Sequence, residues 1–415
     1  MITIFGLIYT LALIIVMFRD IKYLFVLTIL SSVFQCDNVL VIGNIGIGPQ
    51  IITSFAFLIK AIYIKKDELF IIKKKFLPIE IMALLMLLVA FISLAINGKL
   101  TDNILRYIQL VIYVLCFISM SKISDLIDNK FIHNTIKHIA VFLITIGFIQ
   151  LLITTGILPR LNIIKELFYN DNLSNVIYFT RDNYFRILST YMEPSYYACF
   201  LVGTFYYFLL QTKKTKGEII LIFFIFIQII LTFSSTAYVA FSIIGVVYFI
   251  ITKNWKKRLI MLSLVLVGVS IAYVGFYDVL DSVIFSKAES GSANARFASD
   301  AKAIRIFNDN KIIGAGYKTS RASSVIATIL AEMGIIGLST YCIMNFLIIK
   351  DIFIANKKEM SKQELGIRIA ILSVVVAQIV AVPDIDICAY WMWANILAVV
   401  MLKSQSKKNE VEKDE

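Results

Sequence analysis

Charge is scarce in this sequence of 415 residues: Lys, Arg, Asp and Glu make up 16% of it and hydrophobic residues 59%. Soluble domains carry nearer a quarter charged, so an ordinary water-soluble protein is excluded. Histidine is rarer still. His133 and His138 are the only two, and both fall in a segment assigned below to a cytoplasmic loop. The opposite face therefore has no imidazole to act as base or metal ligand. The five cysteines, Cys36, Cys116, Cys199, Cys342 and Cys388, are scattered, odd in number and mostly inside apolar runs. They form neither a disulfide framework nor a metal spacing. No Walker-type loop or nucleotide fingerprint is present, which argues against ATP-driven work, and no cofactor or metal is expected. The run 2–18 lacks a basic start and a small-residue cleavage site, so it reads as a retained span rather than a removed signal.

What is there is apolar and comes in blocks. About thirteen runs have usable length: 2–18, 21–36, 50–64, 77–96, 104–120, 136–156, 190–210, 218–233, 236–251, 259–277, 323–349, 367–382 and 387–402. The class is an all-α polytopic membrane protein with about 12–14 transmembrane helices. Residues 1–402 form one transmembrane domain, and 403–415 a charged tail that reads as disordered. The net charge of +12 does not imply nucleic acid, because the lysines cluster in short loops between apolar runs. Basic clusters at 65–75, 122–137, 213–216, 253–258 and 357–362 alternate with loops at 37–49, 234–235 and 383–386 that hold no Lys or Arg. The positive-inside rule makes the basic loops and the C-terminus cytoplasmic.

Two long loops on the outer side, 157–189 and 278–322, break this pattern. The first carries Arg160, Lys165, Arg181 and Arg186, the second Arg296, Lys302, Arg305, Lys311, Lys318 and Arg321. A solvated face is one reading. The turns and aromatics that accompany the charges favour the other, an anionic ligand at the outer surface. In the second loop 294–308 has helical spacing, with Phe297, Ala301 and Ile304 on one stripe and Arg296 four residues from Asp300. Gly314 and Gly316 then turn the chain. In the first, Leu161, Ile164, Leu167 and Phe168 make a short amphipathic piece. Arg186 and Glu193 stand at the mouth of the span 190–210, with Pro194 suited to a helix's first turn. Glu193 as a capping carboxylate and Arg186 as a snorkelling side chain is the plainer account of that pair.

These motifs, in this order, resemble the bacterial O-antigen and capsular polysaccharide polymerases of the Wzy type and the related O-antigen ligases. The resemblance rests on Arg186 followed by Glu193-Pro194-Ser195, on Arg296 leading through a helix to Gly314 and Gly316, and on Glu332, Gly334 and Gly337 opening a late span. It implies a GT-C-like glycosyltransferase architecture in the bacterial cytoplasmic membrane. It also implies transfer of a glycan from a polyprenyl diphosphate to a hydroxyl of another lipid-linked oligosaccharide. Such a leaving group calls for fixed cations. The implied catalytic set is Glu193 as base with Arg186 and Arg296 on the diphosphate, and Arg181, Arg305 and Arg321 are further substrate contacts. Tyr191, Tyr196 and Tyr317 are candidates for stacking on sugars, against a plainer role in the membrane-interface belt. Glu332 is a substrate-side candidate whose plainer role is structural, and Asp384 and Asp386 are candidates for the rim. Relatives of the ligase kind carry His-Asn where this chain has Ser323 and Ser324, which favours polymerase over ligase. A chain-length regulator and a flippase are the implied protein partners.

Other classes remain open at this point. A lipid-linked oligosaccharide flippase or other transporter would place ionisable groups deep in its spans. Here the spans offer mainly Gln150, Gln228, Asn345 and Gln378, and no buried Lys or Arg is expected. A structural or regulatory membrane protein is the third class.

Overall fold

The computed structural model describes residues 3–42, 45–69, 76–159, 180–181, 184–256, 258–259, 262–263, 291–354 and 360–414. Its helices are α1 (Ile4–Met17), α2 (Ile21–Ser31), α3 (Pro49–Leu69), α4 (Pro78–Ile96), α5 (Leu100–Lys122), α6 (Asn129–Thr154) and α7 (Pro194–Leu210). There follow α8 (Lys216–Leu231), α9 (Ser235–Ile251), α10 (Gly291–Asp309), α11 (Val325–Ile354), α12 (Lys362–Val380) and α13 (Cys388–Asp414). Twelve of the apolar runs coincide with a helix. The run 259–277 and the amphipathic piece at 161–168 lie largely or wholly outside the described residues. α10 is the expected amphipathic helix of the second long loop.

Local chemistry fixes several helix starts. Asp128 caps α6 by accepting from Phe131 N, Ser234 caps α9 from Ala237 N, and Thr215 and Glu218 cap α8 reciprocally. Five helices set the membrane class: α4, α5, α6, α11 and α12 are long and apolar enough to cross a bilayer. α1, α2, α9 and the first part of α13, Cys388–Leu402, are shorter apolar helices. Leu7, Leu11 and Ile14 on α1, Ile220 and Phe223 on α8, and Val246 and Ile250 on α9 turn outward. Surfaces of this kind are unfavourable in water and ordinary against lipid. The protein is an all-α polytopic membrane protein.

The core is built on α7 and α12. Small residues let them approach: a Cβ added at Gly203 would stand 3.0 Å from the Cβ of Ala370. Tyr197, Tyr206, Tyr207, Trp391 and Trp393 are fully buried around this contact. Two short antiparallel hairpins lie in the loops. β1 (Leu40–Ile42) pairs with β2 (Ile45–Ile47), Leu40 opposite Ile47, and β3 (Thr180–Arg181) pairs with β4 (Tyr184–Phe185).

At the end of the bundle that carries the basic loops, buried charges are paired. Glu80 accepts from Ser121 Oγ at 2.5 Å and Lys122 Nζ at 3.3 Å. Arg368 donates to Glu364 and to the Ile348 carbonyl and lies 3.0 Å from Asp351. Lys60 donates to the carbonyls of Val16, Met17 and Arg19. Two expectations are corrected here. Lys60, Lys122 and Arg368 are buried, because carboxylates and carbonyls at the helix ends satisfy them. His133 and His138 lie on α6 rather than in a loop, and His133 bridges Glu218 at 2.8 Å and Tyr207 at 3.0 Å. The tail differs too: α13 runs helical to Asp414, in keeping with the helix-forming Lys, Gln and Glu of that stretch.

Candidate functional site

The opposite end holds a polar cavity of about 740 Å³. Its walls come from distant parts of the chain: the loop after α2, the start of α3, the N-terminal half of α5, the 318–321 turn, Glu332 and the α12–α13 turn. One wall is a stripe along α5. Asn103, Arg106, Gln109 and Tyr113 all line the cavity, at spacings of three and four that place them on one helix face. Gln109 donates to the Tyr113 hydroxyl at 3.1 Å.

The facing wall is an ionic cluster. Lys318 Nζ lies 2.8 Å from Asp384 Oδ1 and 2.8 Å from Asp386 Oδ1. The Arg321 guanidinium reaches Asp384 Oδ2 and the Tyr196 hydroxyl, each at 3.1 Å. Burial opposes the Lys318 charge, but Asp386 and Asp384 outweigh it and hold the ammonium above its ordinary range. Burial likewise opposes the charge on Arg321, and Asp384 foremost holds it raised. Burial would lift the Asp384 carboxyl, yet Lys318 and then Arg321 keep it below the usual carboxylate range. Lys318 takes φ +60, a left-handed backbone uncommon outside glycine and frequent at sites where geometry is imposed.

A glycine turn fixes that wall. Gly314, at φ +74, lies so close to the next span that a Cβ there would stand 2.3 Å from the Glu332 carbonyl carbon. Ala315 N and Gly316 N donate to the carbonyls of Ala331 and Glu332 at 2.8 and 3.0 Å. Ser93 Oγ shares the Glu332 carbonyl at 2.6 Å, and Asn97 Nδ2 donates to the Gly314 carbonyl at 2.9 Å. The Glu332 side chain is only 2% exposed, lines the cavity and leaves Oε1 without a hydrogen-bond partner. Among the described residues no group of three or more His, Cys, Asp and Glu is placed to hold a metal ion.

Residues 220–342 match the family model described as O-Antigen ligase, Wzy_C. That match supports a place in the O-antigen ligase/polymerase superfamily and spans under a third of the chain. The matched segment supplies Lys318, Thr319, Ser320, Arg321 and Glu332 to the cavity, while the α5 stripe and the start of α3 lie outside it. No curated protein matches the chain.

Of the residues singled out from sequence, Arg321, Tyr196, Glu332, Asp384 and Asp386 line the cavity. Glu193 is exposed at the head of α7 next to this group, and its charge adds to those raising Arg321. It occupies the N-cap position without the expected capping bond; its carboxylate accepts from Ser195 Oγ at 3.1 Å instead. Arg186 is half-buried at the α8–α9 turn, where Nε donates to the Thr232 carbonyl at 3.0 Å. Arg296 and Arg305 lie on α10 and do not line the cavity. Asp300 does not pair with Arg296 but accepts from Ser323 N at 2.7 Å and Ser323 Oγ at 2.5 Å. Tyr191 and Tyr317 are fully buried rather than open to the cavity. Arg181 lies in β3, with its side chain outside the described residues.

Sequence reasoning gave Lys318 no individual role and passed over Arg106 and Gln50. Arg106 is a single charge at the head of an apolar run, and its spacing from Asn103 and Gln109 was the available signal.

Proposed function

We propose that the chain polymerises polyprenyl-diphosphate-linked oligosaccharide repeat units into O-antigen, capsular or exopolysaccharide at the outer face of the bacterial cytoplasmic membrane. The observation that carries this reading is the cavity, to which the O-antigen ligase segment contributes Lys318, Arg321 and Glu332. It lies at the bundle end away from the basic loops, the end that charge bias assigns to the outside, with the C-terminus in the cytoplasm. In the reaction an acceptor hydroxyl of one lipid-linked unit gives up its proton and its oxygen bonds to the anomeric carbon of the growing chain. The bond from that carbon to the diphosphate breaks, and the lipid diphosphate leaves with the electron pair. Glu193 is the proposed base. Arg321 is the proposed diphosphate contact at the cavity, and Arg186 and Arg296 are proposed to complete the grip on the donor.

Transfer to a different lipid acceptor, as in an O-antigen ligase, is the second reading, favoured by the description of the matched family. Against it stands Ser323, in the place where ligase relatives carry histidine, with its hydroxyl engaged by Asp300. A flippase and a chain-length regulator are the proposed protein partners.

In the producing strain, Arg186→Ala and Arg296→Ala are expected to leave single repeat units in place of long polymer, seen as loss of the glycan ladder on gels. Full-length ladders from both variants would remove these two arginines from the donor site. Accumulation of lipid-linked units on the inner leaflet would instead indicate transport.

A further inference from the structure

The cavity is poorly suited to phosphate along most of its surface. Its described lining holds three cations, Arg106, Lys318 and Arg321, against four carboxylates, Asp37, Glu332, Asp384 and Asp386. Lys318 and Arg321 are already engaged by Asp384 and Asp386. The remaining polar lining is largely amide: Gln35, Asn38, Gln50, Asn103 and Gln109. Amides both donate and accept, and carboxylates accept. Away from the exposed Arg321 guanidinium, that combination complements hydroxyl groups, which do both as well, better than it does an anion.

Two buried side chains hold polar atoms that no internal hydrogen bond uses. Gln50 is 4% exposed and lines the cavity, yet neither its Nε2 nor its Oε1 has a hydrogen-bond partner. Glu332 Oε1 is in the same position on the facing wall. A buried amide without partners costs stability that a protein of this size has no structural reason to bear. Both groups come into use if a hydroxyl-rich ligand fills the space between them.

We propose that the wall formed by Gln50 and the α5 stripe Asn103–Arg106–Gln109, facing Glu332, is the subsite that binds the sugar of the acceptor repeat unit. The assignment rests on the glycan-transfer reading above and adds to it: this wall lies outside the matched segment, so acceptor selection is carried by the N-terminal helices. Arg106, the lining cation that no carboxylate among the described residues pairs, donates to sugar oxygens from the middle of the stripe.

The test uses purified full-length protein and repeat-unit oligosaccharide released, free of lipid and phosphate, from the strain's own polysaccharide. Calorimetric titration is expected to show binding by the wild type. It is expected to show binding roughly tenfold weaker for Gln50→Leu and for Gln109→Leu, the loss of about one hydrogen bond each. Because Gln50 makes no internal bond, Gln50→Leu is expected to keep or raise the thermal midpoint, which separates lost recognition from lost folding. Inorganic diphosphate should leave the sugar titration unchanged. No binding by the wild type, equal affinity in both variants, or displacement by diphosphate would overturn the subsite. Polymer synthesis by the same wild-type preparation from lipid-linked units reports separately on the function: synthesis without this binding would refute the subsite alone, and binding without synthesis would refute the function alone.

Discussion

At the scale of single residues, the cluster Lys318–Asp384–Asp386–Arg321 decides the shape of the cavity's inner wall. Asp384 has a depressed pKa, so its contribution to stability is present above the unfolded carboxylate value, about 4, and is lost as pH falls through the folded value. Lys318 has a raised pKa, so its contribution is present below about 10.4 and fades as pH rises through the folded value. Replacing Asp384 with Asn leaves Arg321 without its carboxylate and Lys318 with Asp386 alone. The expected cost is about 2 kcal/mol near neutral pH. In detergent the thermal midpoint of Asp384→Asn should lie below that of the wild type from about pH 5 to 9, and the gap should begin to narrow below about pH 4. A gap unchanged at pH 3 would mean the aspartate acts through shape rather than charge. None of this pairing was legible in the sequence beforehand. Lys318 and Asp384 are 66 positions apart, and Asp384 and Asp386 stood out only as candidates for the rim.

At the scale of elements, the helices were legible and the junctions between them less so. A bilayer-crossing helix must be long, apolar and internally hydrogen-bonded, so its signal is concentrated in one continuous run. α10 was legible for the same local reason, its spacing. The docking of the Gly314–Gly316 turn on α11 was not, because it joins two backbones rather than two side-chain patterns. α11 is interrupted at Gly334, where φ +65 and ψ −163 fall in a region open essentially to glycine alone. A Cβ there would stand 2.3 Å from the Ile312 carbonyl oxygen. Gly334→Ala is therefore expected to cost about 2 kcal/mol or more, and to shift Glu332 out of the cavity wall. Lower thermal stability with lost polymer synthesis would fit; a variant with wild-type stability would show that the interruption is not imposed by the turn.

At the scale of the whole molecule, charge separates into two ends. One end buries Lys122 with Glu80 and Arg368 with Glu364 and Asp351, and carries the basic loops. The other gathers the cavity from segments around residues 50, 106, 320 and 384. The sequence pattern carried the class and the helix positions. It did not carry the cavity lining as a whole, which depends on which distant segments meet; Arg186 and Arg296 lie outside that lining. Arg321, Tyr196 and Glu332 were recoverable because motif and lining coincide there. The central claim is that this outer cavity carries out glycan transfer from a lipid diphosphate. The most direct measurement is polymerisation of a purified lipid-linked repeat unit by purified protein in lipid vesicles, with Arg321→Ala alongside the wild type. The account predicts a ladder of chain lengths from the wild type, without nucleotide sugar, and a rate at least roughly a hundredfold lower from the variant. No elongation by the wild type, or equal ladders from both proteins, would contradict it.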